Sequence, residues 1–213
     1  MNNPWLEISH SDYENHMTEV GQAQVLSNLV MSSLEKYLPQ SFALLGCASG
    51  NGLEHVKTEI TEKVYAIDIN QKFLDITRQR FENKINNLEI LNIDIQNDEL
   101  IFEGVDLFFV GLVLEYVEPE IALRKIIRTL SENGVLFIVI QKNDQTSFVS
   151  KTKYKTLEKL TDISNKVNED EIDKFIRSHG FVFGERTEIE LMKGKSFITL
   201  EYRMMGKNEP VIG

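Results

Sequence analysis

Three glycines in the stretch Phe42 to Gly52 (FALLGCASGNG), followed by an aspartate near the end of VYAIDIN, are the residues of this chain whose types and spacing suit chemistry. Gly46, Gly50 and Gly52, with Ala48 among them, leave few side chains to hold a ligand off the main chain, so backbone amides can approach it closely. A carboxylate such as Asp68, at the tip of a neighbouring strand, can accept both hydroxyls of a ribose. Together they predict a site for a nucleoside-bearing ligand. The loop reads GxxxGxG rather than GxGxxG, which suits a pyrophosphate poorly, and Asp68 argues for a ribose without saying what carries it. A glycine-rich turn that binds nothing is the bland alternative.

Such residues need a scaffold. Phe42 to Leu45 is an apolar run short enough for a strand buried on both faces, and further strands are expected near Val64 to Asp68, Leu88 to Asn92, Val105 to Val110 and Val135 to Ile140. Helical spacing falls between them, most clearly over Gln71 to Phe81 and Pro119 to Leu130, and a helix is also expected to open at Gly52 and run to Thr58. Alternation of this kind implies a parallel sheet with helices on both faces. Ahead of it, Tyr13 to Leu38 carries apolar residues at helical spacing, one or two helices stopped by Pro39. Beyond Ile140 a polar segment from Gln141 to Asn168 leads to a helix over Glu169 to His179, and Phe181 to Leu191 and Ser196 to Arg203 flank the short turn MKGK as an antiparallel hairpin. The expected fold is therefore α/β: a Rossmann-like, doubly wound, mostly parallel seven-stranded sheet with a C-terminal antiparallel hairpin and N-terminal helices. A single domain of residues 1–213 divides into an N-terminal helical lid (1–40), a cofactor-binding core (41–140) and a variable segment with the last helix and hairpin (141–213).

Composition narrows the partners. With 33 acidic residues against 23 lysines and arginines, the net charge of -10 argues against broad contact with a nucleic-acid backbone. One basic run, KTKYKTLEK from Lys151 to Lys159, reads as a solvated face before it reads as a patch for an anionic substrate. No apolar run reaches membrane-spanning length and the N-terminus has no export signal, so a cytoplasmic protein is expected, with a homodimer possible but not indicated. The lone Cys47 reads as a small packing residue, and no metal-ligand spacing occurs around the histidines.

The blocks GCASGNG, YAIDIN, LEILNIDIQN (Leu88 to Asn97) and VDLFFVGLVLEYVEP (Val105 to Pro119) resemble the class I S-adenosylmethionine-dependent methyltransferases over most of the chain. The resemblance implies S-adenosylmethionine as cofactor and S-adenosylhomocysteine as product. It assigns the cofactor's amino-acid part to the loop of Gly46, Cys47, Ala48, Gly50, Asn51 and Gly52, the ribose to Asp68, the adenine amino group to Asp94, the adenine faces to Ile69 and Ile95, and the sulfonium side to Gly111 and Leu112. It also implies an N-terminal helix over the cofactor, with Tyr13, His16 and Met17 bordering the methyl group: His16 as a base, Tyr13 to orient the acceptor, Met17 as a shield. Glu115 and Tyr116 fall where related enzymes place polar groups near the acceptor, and the block lacks the NPPY-type tetrapeptide of adenine and glutamine amino-methyltransferases. Two positions depart from the family pattern: Leu44 stands where an acid often precedes the first glycine, and Ala48 where a glycine is usual.

Methyl transfer is an in-line displacement, so the protein's task is to position the acceptor and exclude water, with a base needed only where the acceptor must lose its proton. The expected function is methyl transfer to a small-molecule acceptor. A non-catalytic protein holding the cofactor or a related metabolite is the alternative, suggested by Leu44 and the want of an obvious base, and a nicotinamide-dependent oxidoreductase stands third.

Overall fold

The computed structural model describes residues 3–143, 147–192 and 194–204. Its centre is a seven-stranded sheet of β1 (Ser41–Leu45), β2 (Lys63–Asp68), β3 (Leu88–Asn92), β4 (Val105–Gly111), β5 (Leu130–Asn143), β6 (Phe181–Glu190) and β7 (Lys195–Met204), in the order β3-β2-β1-β4-β5-β7-β6. The first five strands pair in parallel, and β7 inserts antiparallel between β5 and β6. This is the expected fold. Lys193 of the expected MKGK turn lies outside the described residues; the Leu191 N–H donates to the Lys195 carbonyl across that turn at 2.8 Å.

Period-two alternation divides the sheet's side chains between two cores. Ala43, Leu45, Tyr65, Ile67, Phe108 and Val110 face α4 (Pro119–Thr129) and α5 (Glu169–Ser178), whose Leu123, Ile126, Phe175 and Ile176 join the same cluster. Phe42, Leu44, Val64, Ala66, Leu107 and Phe109 face the other way, toward α2 (Gln22–Tyr37) and α3 (Gln71–Phe81), through Leu26, Val30, Leu34, Leu74 and Phe81. Helix boundaries follow capping chemistry. Ser9 caps α1 (His10–Glu19) by accepting from the Asp12 N–H, Asn70 caps α3, Asn168 caps α5, and Pro119 opens α4. Gly21, at φ 74°, breaks the N-terminal helical stretch into α1 and α2.

One expected element is corrected. The stretch from Gly52 to Thr58 makes only a 3₁₀ turn, Leu53–His55. α2 packs closely against this turn: a Cβ on Gly52 would lie 2.8 Å from Val30, and Ser27 Oγ donates to Glu54 Oε1 at 2.8 Å. The N-terminal helix thus covers the sheet face beside the first crossover. The polar-looking segment before α5 also carries structure, a 3₁₀ helix over Lys155–Ile163. No helix among the described residues is long and apolar enough to cross a membrane.

Candidate functional site

Between β1 and β4 the chain order reverses, and at such a point the loops leaving neighbouring strands diverge and open a crevice at the strands' C-terminal ends. A cavity of about 230 Å³ lies there. Six strands contribute to its wall: Leu45 and Gly46 at the end of β1, Asp68 and Ile69 at the end of β2, Ile93 to Asn97 after β3, Gly111 to Val113 at the end of β4, Gln141 from β5 and Lys195 from the start of β7. The roof comes from the N-terminal segment (Trp5, Tyr13, Met17, Gln22) and from Phe148, Val149, Leu157 and Leu160.

Asp68 organises the floor. Its Oδ2 accepts from the Ala48 N–H at 2.9 Å and its Oδ1 from the Asn70 N–H at 2.8 Å, so the acid fixes both the glycine-rich loop and the entry to α3. A carboxylate offers about four acceptor positions, so capacity remains for a ligand hydroxyl. Burial pushes its pKa up from 3.8 to about 6, against the lowering effect of the Asn70, Ala48 and Ile69 amides. Asp94 is less buried and works within its own loop, accepting from the Gln96 N–H at 3.0 Å and the Asn97 side-chain amide at 2.8 Å.

Only part of the glycine-rich loop touches the cavity. Gly46, at φ 76°, does, because a Cβ there would lie 2.6 Å from Val113 and 2.9 Å from the Gly111 carbonyl. Ala48 does too, in the left-handed region at φ 46°. Gly50, Asn51 and Gly52 lie away from the wall: a Cβ on Gly50 would meet Phe81 at 2.5 Å, Gly52 abuts Val30, and Asn51 Nδ2 donates to the Ala23 carbonyl. These three residues dock the loop on α2 and α3. Cys47 is buried off the wall in the core facing α2, its thiol pushed up by burial.

Ile69, Asp94, Ile95, Gly111 and Leu112 all line the cavity, as do Tyr13, Met17 and Tyr116. His16 and Glu115 do not. His16 is buried behind the wall, with Nδ1 2.9 Å from Thr152 Oγ1. Glu115 is fully buried: its Oε1 accepts from the Gln141 N–H at 2.6 Å, its Oε2 has no hydrogen-bond partner among the described residues, and desolvation pushes its pKa up from 4.5 to about 7. Tyr13 and Tyr116 have their phenols raised above the ordinary range chiefly by burial, so at neutral pH both are hydrogen-bond donors and not bases.

Sequence reasoning missed much of the roof. Tyr13, Trp5, Tyr116 and Phe148 form, in that order, a chain of rings at centroid separations of 6.0, 5.0 and 5.7 Å, and Phe73 meets Tyr13 at 5.3 Å. Beside them Gln22 Nε2 donates to Gln141 Oε1 at 2.7 Å, while Gln141 Nε2 and Lys195 Nζ both donate to the Phe148 carbonyl. Leu157 and Leu160 come from the lysine-rich stretch, whose lysines 151, 153, 155 and 159 are exposed. An apolar side chain at every third position, Tyr154, Leu157, Leu160 and Ile163, was the available signal. No group of three His, Cys, Asp or Glu able to hold a metal occurs among the described residues.

With this geometry in place, comparison with known proteins gives a consistent answer. Residues 44–138 match a family model described as a methyltransferase domain. No curated protein sequence matches the chain. Among solved structures, the N-methyltransferase NodS from Bradyrhizobium japonicum WM9, in complex with S-adenosyl-L-homocysteine, superposes with a TM-score of 0.64 at 16% identity, covering 86% of this chain and 87% of that one. Magnesium protoporphyrin IX methyltransferase from Synechocystis PCC 6803, with bound S-adenosylmethionine, gives 0.62 at 14% identity over 87% and 80%. The [4+2]-cyclase SpnF gives 0.65 at 14% identity over 85% and 80%, so similarity in this fold extends beyond proteins named as methyltransferases.

Proposed function

We propose that this chain, whose residues 44–138 match the model of a methyltransferase domain, binds S-adenosylmethionine in the cavity and directs its methyl group to a small, largely apolar acceptor. The observation that carries this reading is the convergence of Asp68, Asp94, Ile69 and Ile95 with the Gly46 and Gly111 backbone on one cavity wall. In it, Asp68 receives the ribose hydroxyls, Asp94 the adenine amino group, and Ile69 and Ile95 pack on the ring. When bound, the cofactor supplies an electrophilic methyl on a cationic sulfur, which needs no activation by the protein.

The remaining residues orient the acceptor and keep water out. Trp5, Tyr116 and Phe148 offer an aromatic surface, Tyr13 offers a donor hydroxyl, and Gln22, Gln141 and Lys195 make one polar margin. The described wall holds no histidine, and its carboxylates are the two assigned to the cofactor. This favours an acceptor that is nucleophilic without prior loss of a proton. His16 then acts as a roof support through Thr152 rather than as the base. The N-terminal segment is read as the lid, anchored where the Asn70 side chain donates to the Trp5 carbonyl at 2.8 Å and Glu14 accepts from Ser49.

The test is production of S-adenosylhomocysteine on incubation with S-adenosylmethionine and a panel of small aromatic and apolar acceptors. Turnover with any member supports the reading. Tight cofactor binding with no product across the panel favours a non-catalytic binding protein.

A further inference from the structure

We infer that Lys125, a residue of α4 with no side chain on the cavity wall, is the positioning residue of the adenine subsite; the inference rests on the cofactor reading above. Lys125 is buried to 9% exposure, and its Nζ donates to three backbone carbonyls, those of Ile95 at 3.0 Å, Gln96 at 3.1 Å and Asp98 at 2.7 Å. Among the described residues no carboxylate lies within ion-pair distance of it, so the three donors of the ammonium are matched by three loop oxygens.

The loop they belong to forms a continuous piece of the wall, Ile93 to Asn97. Its N–H groups find partners of their own: Asp94 Oδ1 accepts from the Gln96 N–H, Asp98 Oδ2 from the Asp94 N–H at 2.9 Å, and the Asp94 carbonyl from the Asn97 and Asp98 N–H groups. The carbonyls of Ile95, Gln96 and Asp98 converge on Lys125 of α4. Three carbonyl dipoles aimed at one point repel one another unless a cation sits among them. A buried ammonium is costly unless it is fully hydrogen-bonded, and here each supplies what the other lacks. Remove the charge and the loop relaxes outward, taking with it the side chains of Asp94 and Ile95. Asp68 and the glycine-rich loop, held by separate hydrogen bonds, stay in place.

This predicts a selective defect. Calorimetric titration with S-adenosylhomocysteine and with S-inosylhomocysteine, in which the adenine amino group is replaced by oxygen, reads it directly. The wild type is expected to prefer the adenine compound. Lys125→Met is expected to weaken S-adenosylhomocysteine binding by about tenfold or more and to bring the ratio of the two affinities toward one, whereas Lys125→Arg, which keeps the charge and the donors, retains the preference. Should Lys125→Met not fold, Lys125→Gln carries the same comparison. A folded Met or Gln variant with the wild-type ratio overturns the inference, as does an Arg variant that loses the preference as fully as Met. Failure of the wild type to bind either compound would instead sink the cofactor reading.

Discussion

The Ala48 N–H donates to Oδ2 of Asp68 at 2.9 Å, so the loop after the first strand is tied to the acid at the tip of the second. One carboxylate thereby shapes two walls of the cavity before any ligand arrives, which is preorganisation of the site by its own backbone.

Because Asp68 has its pKa raised by burial to about 6, ligand binding that engages the ionised carboxylate must be coupled to protons. Hydroxyl donors favour the charged form and lower the pKa in the complex. Titration of S-adenosylhomocysteine at pH 6 in buffers of different ionisation enthalpy is expected to register proton release, which fades by pH 8. Affinity should be flat above neutrality and fall by about tenfold per pH unit below pH 6.

Ala48 adopts φ 46°, a region that costs an L residue about 1 to 2 kcal/mol relative to glycine. Ala48→Gly is therefore expected to stabilise the protein in urea by about 1 kcal/mol, part of the gain being offset by the greater chain entropy of glycine.

Glu115 makes a stability prediction of its own. Its pKa is raised on folding to about 7, so between pH 4.5 and 7 the folded chain holds a proton that the unfolded chain has released. Stability from this group is present below pH 4.5 and is lost as pH rises through 7, by on the order of 1–3 kcal/mol. Asp68 adds a fall of the same sign between 3.8 and about 6. Thermal melts from pH 5 to 8 should show the decline, and Glu115→Gln, which cannot ionise, should flatten its upper part.

The strands and most helix boundaries were legible because burial on both faces and caps such as Asn70, Pro119 and Asn168 are written locally. Asp68 was legible from its place at a strand tip, whereas Asp94 came from the family resemblance. What was not legible depends on contacts between distant segments. Gly50 and Gly52 look like ligand-approach glycines in sequence, yet Phe81 and Val30 are what they approach. His16 and Glu115 carry the right chemistry for an acceptor site, but the side chains face Thr152 and the Gln141 N–H instead. The aromatic roof joins Trp5 to Phe148 through Tyr116, three residues far apart in the chain with no shared period to expose them.

Trp5 is the protein's one tryptophan and lies on the cavity wall against Tyr116. Its emission is expected to shift or quench on addition of S-adenosylhomocysteine, with saturation at the calorimetric Kd, and emission unchanged at saturation would remove the N-terminal segment from the lid.

The central claim is that Asp68 holds the ribose of an adenosyl cofactor. Isothermal titration of S-adenosylhomocysteine into the wild type and Asp68→Ala tests it most directly: loss of a hydrogen-bonded charge should cost about 1.5 to 3 kcal/mol, a drop in affinity of roughly 10- to 150-fold. No heat of binding to the wild type at millimolar ligand, or equal affinity in the two proteins, would contradict it.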